Sequence, residues 1–179
     1  MSQRSGPSEQ PSRRTIRLKD YDYSQAGWYF VTVCTKGKAC LLGRVKKDEM
    51  VFSEIGRTAE KCLIEISSHF PFVSIDERVI MPNHIHAIIV LQPVGAAYMP
   101  PGETPPLSGP HFDSRSLSVI VQQYKSAVKR RCVADGFGYF GWQRGYYEHV
   151  IRNEDDLHDI REYIVYNPMK WSEDEEYRK

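Results

Sequence analysis

VSIDERVIMPNHIHAIIVL, Val73 to Leu91, is the stretch whose reading decides the fold. Two runs rich in apolar and β-branched residues, Val73 to Ile80 and His84 to Leu91, flank Met81-Pro82-Asn83. Runs of that kind on either side of a short Pro/Asn segment read as two strands and their turn. His84 and His86 stand two apart on the second strand. Alternation puts both imidazoles on one face, with their Cα atoms about 6.6 Å apart at a rise of roughly 3.3 Å per residue. That spacing lets two ring nitrogens converge on one metal ion. The same spacing also suits two histidines in a satisfied polar pocket.

The pattern extends outward on both sides. Trp28 to Cys34 (WYFVTVC) is aromatic and β-branched, which predicts a strand. Gly37 marks a turn, and Cys40 to Val45 is the expected hairpin partner, with Met50 to Phe52 as a short extension. Ser53 is placed to cap a helix from Glu54 to about Ser67, with Ile55, Ala59, Cys62, Leu63 and Ile66 on its apolar face. Beyond Leu91 a proline- and glycine-rich segment, 93–110, predicts an exposed insertion. Ser116 starts a helix to about Val133, with Leu117, Ile120, Val121, Tyr124 and Val128 on one stripe. Periodicity alone makes Tyr124 a core residue. Trp142 to Ile151 contains another strand. Asn153 caps a last helix whose first turn carries Glu154, Asp155 and Asp156, and which ends near Tyr166.

The order β-β-α-β-β-α-β-α predicts an α+β fold, an antiparallel sheet with helices packed on it. Its central β-α-β-β-α-β portion has ferredoxin-like connectivity. The expected organisation is a flexible leader over residues 1–15, one domain over 16–171 with an inserted loop at 92–115, and an acidic tail over 172–179.

Bulk properties narrow the class. A chain of 179 residues with 41% hydrophobic and 26% charged residues suits one soluble domain. Net charge is only +1, but its distribution is uneven. From Asp113 to Arg152 seven bases oppose three acids; from Asn153 onward four bases oppose nine acids. A basic middle of this kind can engage phosphates locally. The 11 tyrosines suit stacking on bases. Cys34, Cys40, Cys62 and Cys132 form no C-x-x-C pair and read as reduced thiols. No apolar run reaches the roughly 20 residues that span a bilayer, and the N-terminus lacks a secretory apolar region. A cytoplasmic protein with no membrane partner is expected.

Several H-x-H chemistries are excluded by what surrounds the pair. A histidine-triad hydrolase needs a third histidine where Ile88 stands. A zinc deaminase needs Glu in place of His86 and a P-C-x-x-C. A zincin needs H-E-x-x-H on a helix.

Longer strings carry a resemblance: DYSQAGWYFVT (22–32), VIMPNHIHAIIV (79–90), IVQQYKSAVKRR (120–131), GWQRGYYEHVIRNEDDL (141–157) and REYIVYNPMKW (161–171). Together they resemble the REP-associated tyrosine transposases, an IS200-like branch of the single-tyrosine HUH endonucleases, named for His, bulky hydrophobe, His. The resemblance implies a ferredoxin-like HUH endonuclease fold and a divalent ion, Mg²⁺ or Mn²⁺, held by His84 and His86. It implies Tyr124 as the nucleophile that forms a 5′-phosphotyrosine with single-stranded DNA beside a hairpin. Lys125, Lys129, Arg130, Arg131, Arg144 and Arg152 are the expected phosphate contacts, and Tyr146 or Tyr147 an expected stacking platform. Lys125 and His149 are candidates to take the phenolic proton. The assembly implied is a monomer or a homodimer. One position departs from the pattern. The wider family carries a polar third ligand one helical turn after its tyrosine, and Val128 stands there. Gln122, Gln123, Glu148 and His149 are the candidate substitutes. Two other readings compete: a non-catalytic, domesticated protein that binds DNA hairpins, and a hydrolase of small phosphoesters in which Tyr124 is structural.

Overall fold

The computed structural model describes residues 21–93, 101, 116–174, 176 and 177. The expected leader, 1–15, and most of the expected inserted loop, 92–115, lie outside the described residues. The elements in chain order are β1 (Gly27–Cys34), β2 (Gly43–Lys46), β3 (Glu49–Phe52), α1 (Glu54–Ile64), α2 (Ile66–His69), β4 (Val73–Ile80), β5 (His84–Leu91), α3 (Leu117–Ala134), β6 (Tyr147–Ile151) and α4 (Glu154–Tyr166).

Four strands form one antiparallel sheet in the order β4-β5-β1-β6. With α1 between β1 and β4, and α3 between β5 and β6, this is the ferredoxin-like connectivity the sequence predicts. The hairpin β4-β5 forms around Met81-Pro82-Asn83 as expected. Ser53, Ser116 and Asn153 cap α1, α3 and α4, each side chain accepting a backbone N–H of the first turn. No helix among the described residues is long and apolar enough to cross a membrane.

Two expectations are corrected. The segment around Cys40 to Val45 does not pair with β1. β1 is hydrogen-bonded by β5 on one edge and β6 on the other, so it has no edge left. β2 pairs instead with β3 in a separate ribbon. The ribbon lies against α1 at Gly56, where a Cβ would come within 1.9 Å of the Leu42 carbonyl oxygen. The first helix also stops at Ile64, and α2 is a separate turn after Glu65.

Strand alternation divides the interior in two. Val31 and Val33 of β1 and Ile85, Ala87 and Ile89 of β5 face one way, against Ala59, Cys62 and Leu63 of α1 and Leu117, Val121, Tyr124 and Val128 of α3. Trp28 and Phe30 of β1 and Ile88 and Val90 of β5 face the other way, against Leu157 and Ile164 of α4. α4 is held there by Arg161, which clasps Asp76 of β4 with two bonds of 2.7 Å and lies 5.7 Å over the Trp28 ring.

Candidate active site at the histidine pair

His84 and His86 share the α4 face, as alternation predicts, with ring centroids 4.4 Å apart. Both are buried. Their tautomers follow from their neighbours. The Asn83 amide nitrogen donates to the carbonyls of Lys38 (3.2 Å) and Glu176 (2.8 Å), so its oxygen faces His84 Nδ1 at 2.8 Å. His84 Nδ1 therefore carries the hydrogen, and Nε2 presents a lone pair. His86 lies opposite Thr32 in the β1-β5 register, and its Nδ1 is 2.8 Å from the Thr32 hydroxyl. That leaves His86 Nε2 turned toward the same space as His84 Nε2. Such partners on the far ring nitrogen are how metal-ligating histidines are oriented. Burial, and then the neighbouring His86, hold the His84 pKa down to about 3 against the opposing pull of Asp174, so the ring is neutral at pH 7.

The third member comes from the chain end. Asp174 Oδ2 lies 4.0 Å from both Nε2 atoms, and its side chain is 1% exposed. The three ligand atoms lie within 4.8 Å of one another. Burial alone would raise the Asp174 pKa, but the neighbouring His86 ring and the hydrogen bond from Asn167 outweigh it and keep the carboxyl ionised well below the usual range. Asn167, 2% exposed at the end of α4, donates to Asp174 Oδ2 at 2.8 Å. Its amide oxygen is buried with no hydrogen-bond partner among the described residues, and so is His84 Nε2. Buried lone pairs without a donor are costly. Two imidazoles, a carboxylate and an orphaned amide oxygen are a donor set that fits a divalent cation.

A tyrosine sits on this cluster, and it is not Tyr124. Tyr163 of α4 places its hydroxyl 3.2 Å from His86 Nε2 and donates to Asp174 Oδ2 at 3.1 Å. Its ring is 5.1 Å from His86 and meets Phe30 edge-on at 6.0 Å. It is 43% exposed, so a substrate can reach it. Tyr124 lies on the other face of the sheet, 5% exposed, and its hydroxyl donates to the Ala59 carbonyl of α1 at 3.1 Å. Burial, then Cys62 and Cys132, raise its pKa well above that of an ordinary phenol. Tyr124, the nucleophile that the resemblance implies, is therefore not brought to the histidines. α3 packs against α1 on the face that carries Ile85 and Ala87, and the sheet separates Tyr124 from His84 and His86.

The remaining expected site residues divide. Lys125 Nζ donates to the Gln143 and Gly145 carbonyls, and Lys129 Nζ to those of Gly138 and Phe140. These lysines hold the 135–146 loop onto α3. Burial lowers the Lys125 pKa. Arg131 is paired with Glu65 at 2.7 Å. Arg130, Arg144 and Arg152 are exposed. Arg144 follows Gln143, whose N–H donates to the Cys34 carbonyl, so it lies at the histidine end of the sheet. Arg152 follows Ile151, which pairs with Trp28 at the far end. Tyr146 faces α3, within 3.2 Å of the Ser118 hydroxyl, whereas Tyr147 is exposed on the histidine face beside Phe30. Of the candidate substitute ligands, Gln122 and Gln123 are exposed on α3, Glu148 alternates toward the α3 face, and His149 bonds Asp156 at 2.9 Å. None belongs to the cluster.

Sequence reasoning missed Tyr163, Asn167 and Asp174. A signal for the first two was present: Asn167 follows Tyr163 by four residues, one helical turn, where Val128 follows Tyr124. Asp174 lies beyond the last helix in an acidic run with no periodicity.

Comparison with known proteins bears on the fold and on the relatives of the chain. No family model matches the chain. A Haemophilus influenzae protein described as "Uncharacterized protein" is 38% identical over 167 residues, 92% of this chain and 93% of that protein. A second Haemophilus influenzae protein, described as "Putative REP-associated tyrosine transposase", is 28% identical over 83% of this chain and 74% of its own length. Among solved structures, a REP-associated tyrosine transposase bound to a REP hairpin superposes with a TM-score of 0.58, at 22% identity, over 88% of this chain and 74% of the other. The chain thus belongs to one family with the first Haemophilus influenzae protein, is a distant sequence relative of the second, and has the fold of a REP-associated tyrosine transposase.

Proposed function

We propose that the protein is a metal-dependent DNA strand transferase, an endonuclease of hairpin-forming single-stranded DNA, in which Tyr163 is the nucleophile. The observation that carries this reading is the Tyr163 hydroxyl on the His84–His86–Asp174 cluster. The cluster fits Mg²⁺ or Mn²⁺, with His84, His86, Asp174 and Asn167 as the residues that would hold it. A cation bound there would supply Lewis-acid polarisation of a phosphate oxygen.

The residues of the chain do the rest. His84 presents a lone pair at Nε2 because Asn83 engages its Nδ1, and Thr32 holds the His86 ring with Nε2 toward the same space. Asp174 accepts the hydrogen bond of the phenol and so aims Tyr163 Oη at the cluster. Attack by Oη on a DNA phosphorus forms a P–O bond to tyrosine and breaks the P–O3′ bond. The products are a 5′-phosphotyrosine and a 3′-hydroxyl, whose proton balances the one lost by the phenol. The phosphodiester is conserved, so a second 3′-hydroxyl can reverse the step and join strands without a nucleotide cofactor. Tyr147, exposed on the same face, suits stacking on an unpaired base. Arg144 suits a phosphate contact. A hairpin substrate draws its support from the fold neighbour, which is bound to a REP hairpin.

The test is incubation with a 5′-labelled or 3′-labelled hairpin oligonucleotide and Mn²⁺, resolved on a denaturing gel. A protein-linked band from the 3′-labelled DNA, absent with EDTA and in His84→Ala, is expected. Tight hairpin binding with no adduct at any Mn²⁺ concentration would instead establish the non-catalytic reading.

A further inference from the structure

We propose that Lys38, with the Cys34 thiol beside it, forms an anion subsite that takes a DNA backbone phosphate next to the one at the histidine pair. The inference rests on the strand-transfer reading above.

Lys38 lies in the tight turn after β1 and has a left-handed backbone, φ 55°. Residues with a β-carbon seldom adopt that conformation, and they keep it where the surroundings over-determine it. Here they do. The Lys38 N–H donates to the Thr35 carbonyl (3.0 Å), and the Thr35 hydroxyl bridges the carbonyls of Ala39 (2.7 Å) and Asn83 (3.0 Å). The Lys38 carbonyl accepts from Asn83 Nδ2, and the same Asn83 sets the tautomer of His84. One amide thus indexes the lysine to the histidine. The Lys38 side chain is 23% exposed, so its ammonium is held close to the protein and does not sweep through solvent.

That ammonium has an anion on it. Glu176 Oε2 lies 2.5 Å from Lys38 Nζ, and Cys34 Sγ, opposite His84 in the sheet register, donates to the same oxygen at 3.4 Å. The chain end therefore lays two carboxylates in succession along this surface: Asp174 at the imidazoles and Glu176 at Lys38 and Cys34. A DNA strand also presents successive anions, and the Glu176 oxygen stands in for a non-bridging phosphate oxygen. Lys36, exposed two residues before, and Arg144, which follows Gln143 on the Cys34 carbonyl, add two further bases at this end of the sheet. Clearing the subsite requires only that the Glu176 side chain rotate; Asp174 can stay.

The experiment is fluorescence-anisotropy binding of a labelled single-stranded oligothymidylate to the full chain across a salt series. Lys38→Gln is expected to weaken binding, Lys38→Arg to restore it, and Glu176→Gln to tighten it. In the Glu176→Gln background, adding Lys38→Gln should reduce the slope of log K against log salt by about 0.7, the value for one single-strand phosphate contact. Lys61→Gln, an exposed change on α1, should leave the slope unchanged. If Lys38 only anchors the chain end, Lys38→Gln and Glu176→Gln will shift affinity in the same direction; that result, or an unchanged slope in the double variant, overturns the proposal. The Mn²⁺-dependent adduct is scored in parallel on wild type. Its absence defeats the strand-transfer reading, while the salt slope still decides the Lys38 subsite.

Discussion

Two phenylalanine substitutions, Tyr163→Phe and Tyr124→Phe, separate the two tyrosine helices by opposite effects. Each removes one hydroxyl and leaves the ring. At position 163 the ring is 43% exposed and its hydroxyl bonds Asp174 near solvent, so the stability cost is expected at about 0.5 kcal/mol. At position 124 the lost bond is buried, 3.1 Å long, and made to a carbonyl that already belongs to the α1 ladder, which sets the cost at about 1 kcal/mol. For a domain of this size 1 kcal/mol corresponds to roughly 2–4 °C in Tm. Tyr163→Phe should thus melt within about 2 °C of wild type, and Tyr124→Phe about 2–4 °C lower. Activity should run the other way. Tyr163→Phe has no oxygen to attack phosphorus, so the covalent DNA adduct disappears, while Tyr124→Phe forms it at close to the wild-type rate at a temperature where both are folded. The assay is a gel-shift of the protein–DNA adduct with Mn²⁺, beside a calorimetric melt of each variant. An adduct that persists in Tyr163→Phe and vanishes in a folded Tyr124→Phe would refute the assignment, and with it the inference drawn from the sheet separating the two residues.

Other perturbations test the frame around the site. Adding Mn²⁺ at about 100 times its Kd should raise stability by about 2.7 kcal/mol, seen as a rise in Tm, and His84→Ala should abolish that rise. Arg161→Ala removes the clasp on Asp76 and the contact over Trp28. Because the guanidinium is partly exposed, the loss should be about 1 kcal/mol by denaturant titration, with adduct formation slowed as α4 loosens. Gly56→Ala drives a methyl into the Leu42 carbonyl and should cost about 1–3 kcal/mol, with no effect on metal-induced stabilisation.

Much of the frame was legible because it depends on local signals. Ser53, Ser116 and Asn153 cap the helices they precede, since a cap needs only a side-chain oxygen two or three residues from a free N–H. The β4-β5 hairpin follows from two β-branched runs and a turn. The pairing of β2 was not legible, because which strand takes a free edge depends on whether β6, more than a hundred residues along, has already taken the other side of β1.

The same division runs through the site. Sequence by itself determined that His84 and His86 face one way, because strand alternation has a period of two and needs no partner to be read. It also determined that Tyr124 lies on an apolar stripe and that Tyr163 precedes a polar residue by one turn. Only the tertiary structure decided which tyrosine meets the histidines. Both helices are amphipathic, and amphipathicity says that a helix covers a sheet without saying which face it covers. That choice is made by the crossover connections, which send α3 to the side of Ile85 and α4 to the side of His86. Asp174 is the extreme case: no pattern marks it, and its place beside two imidazoles exists only once the chain end has folded back across the sheet.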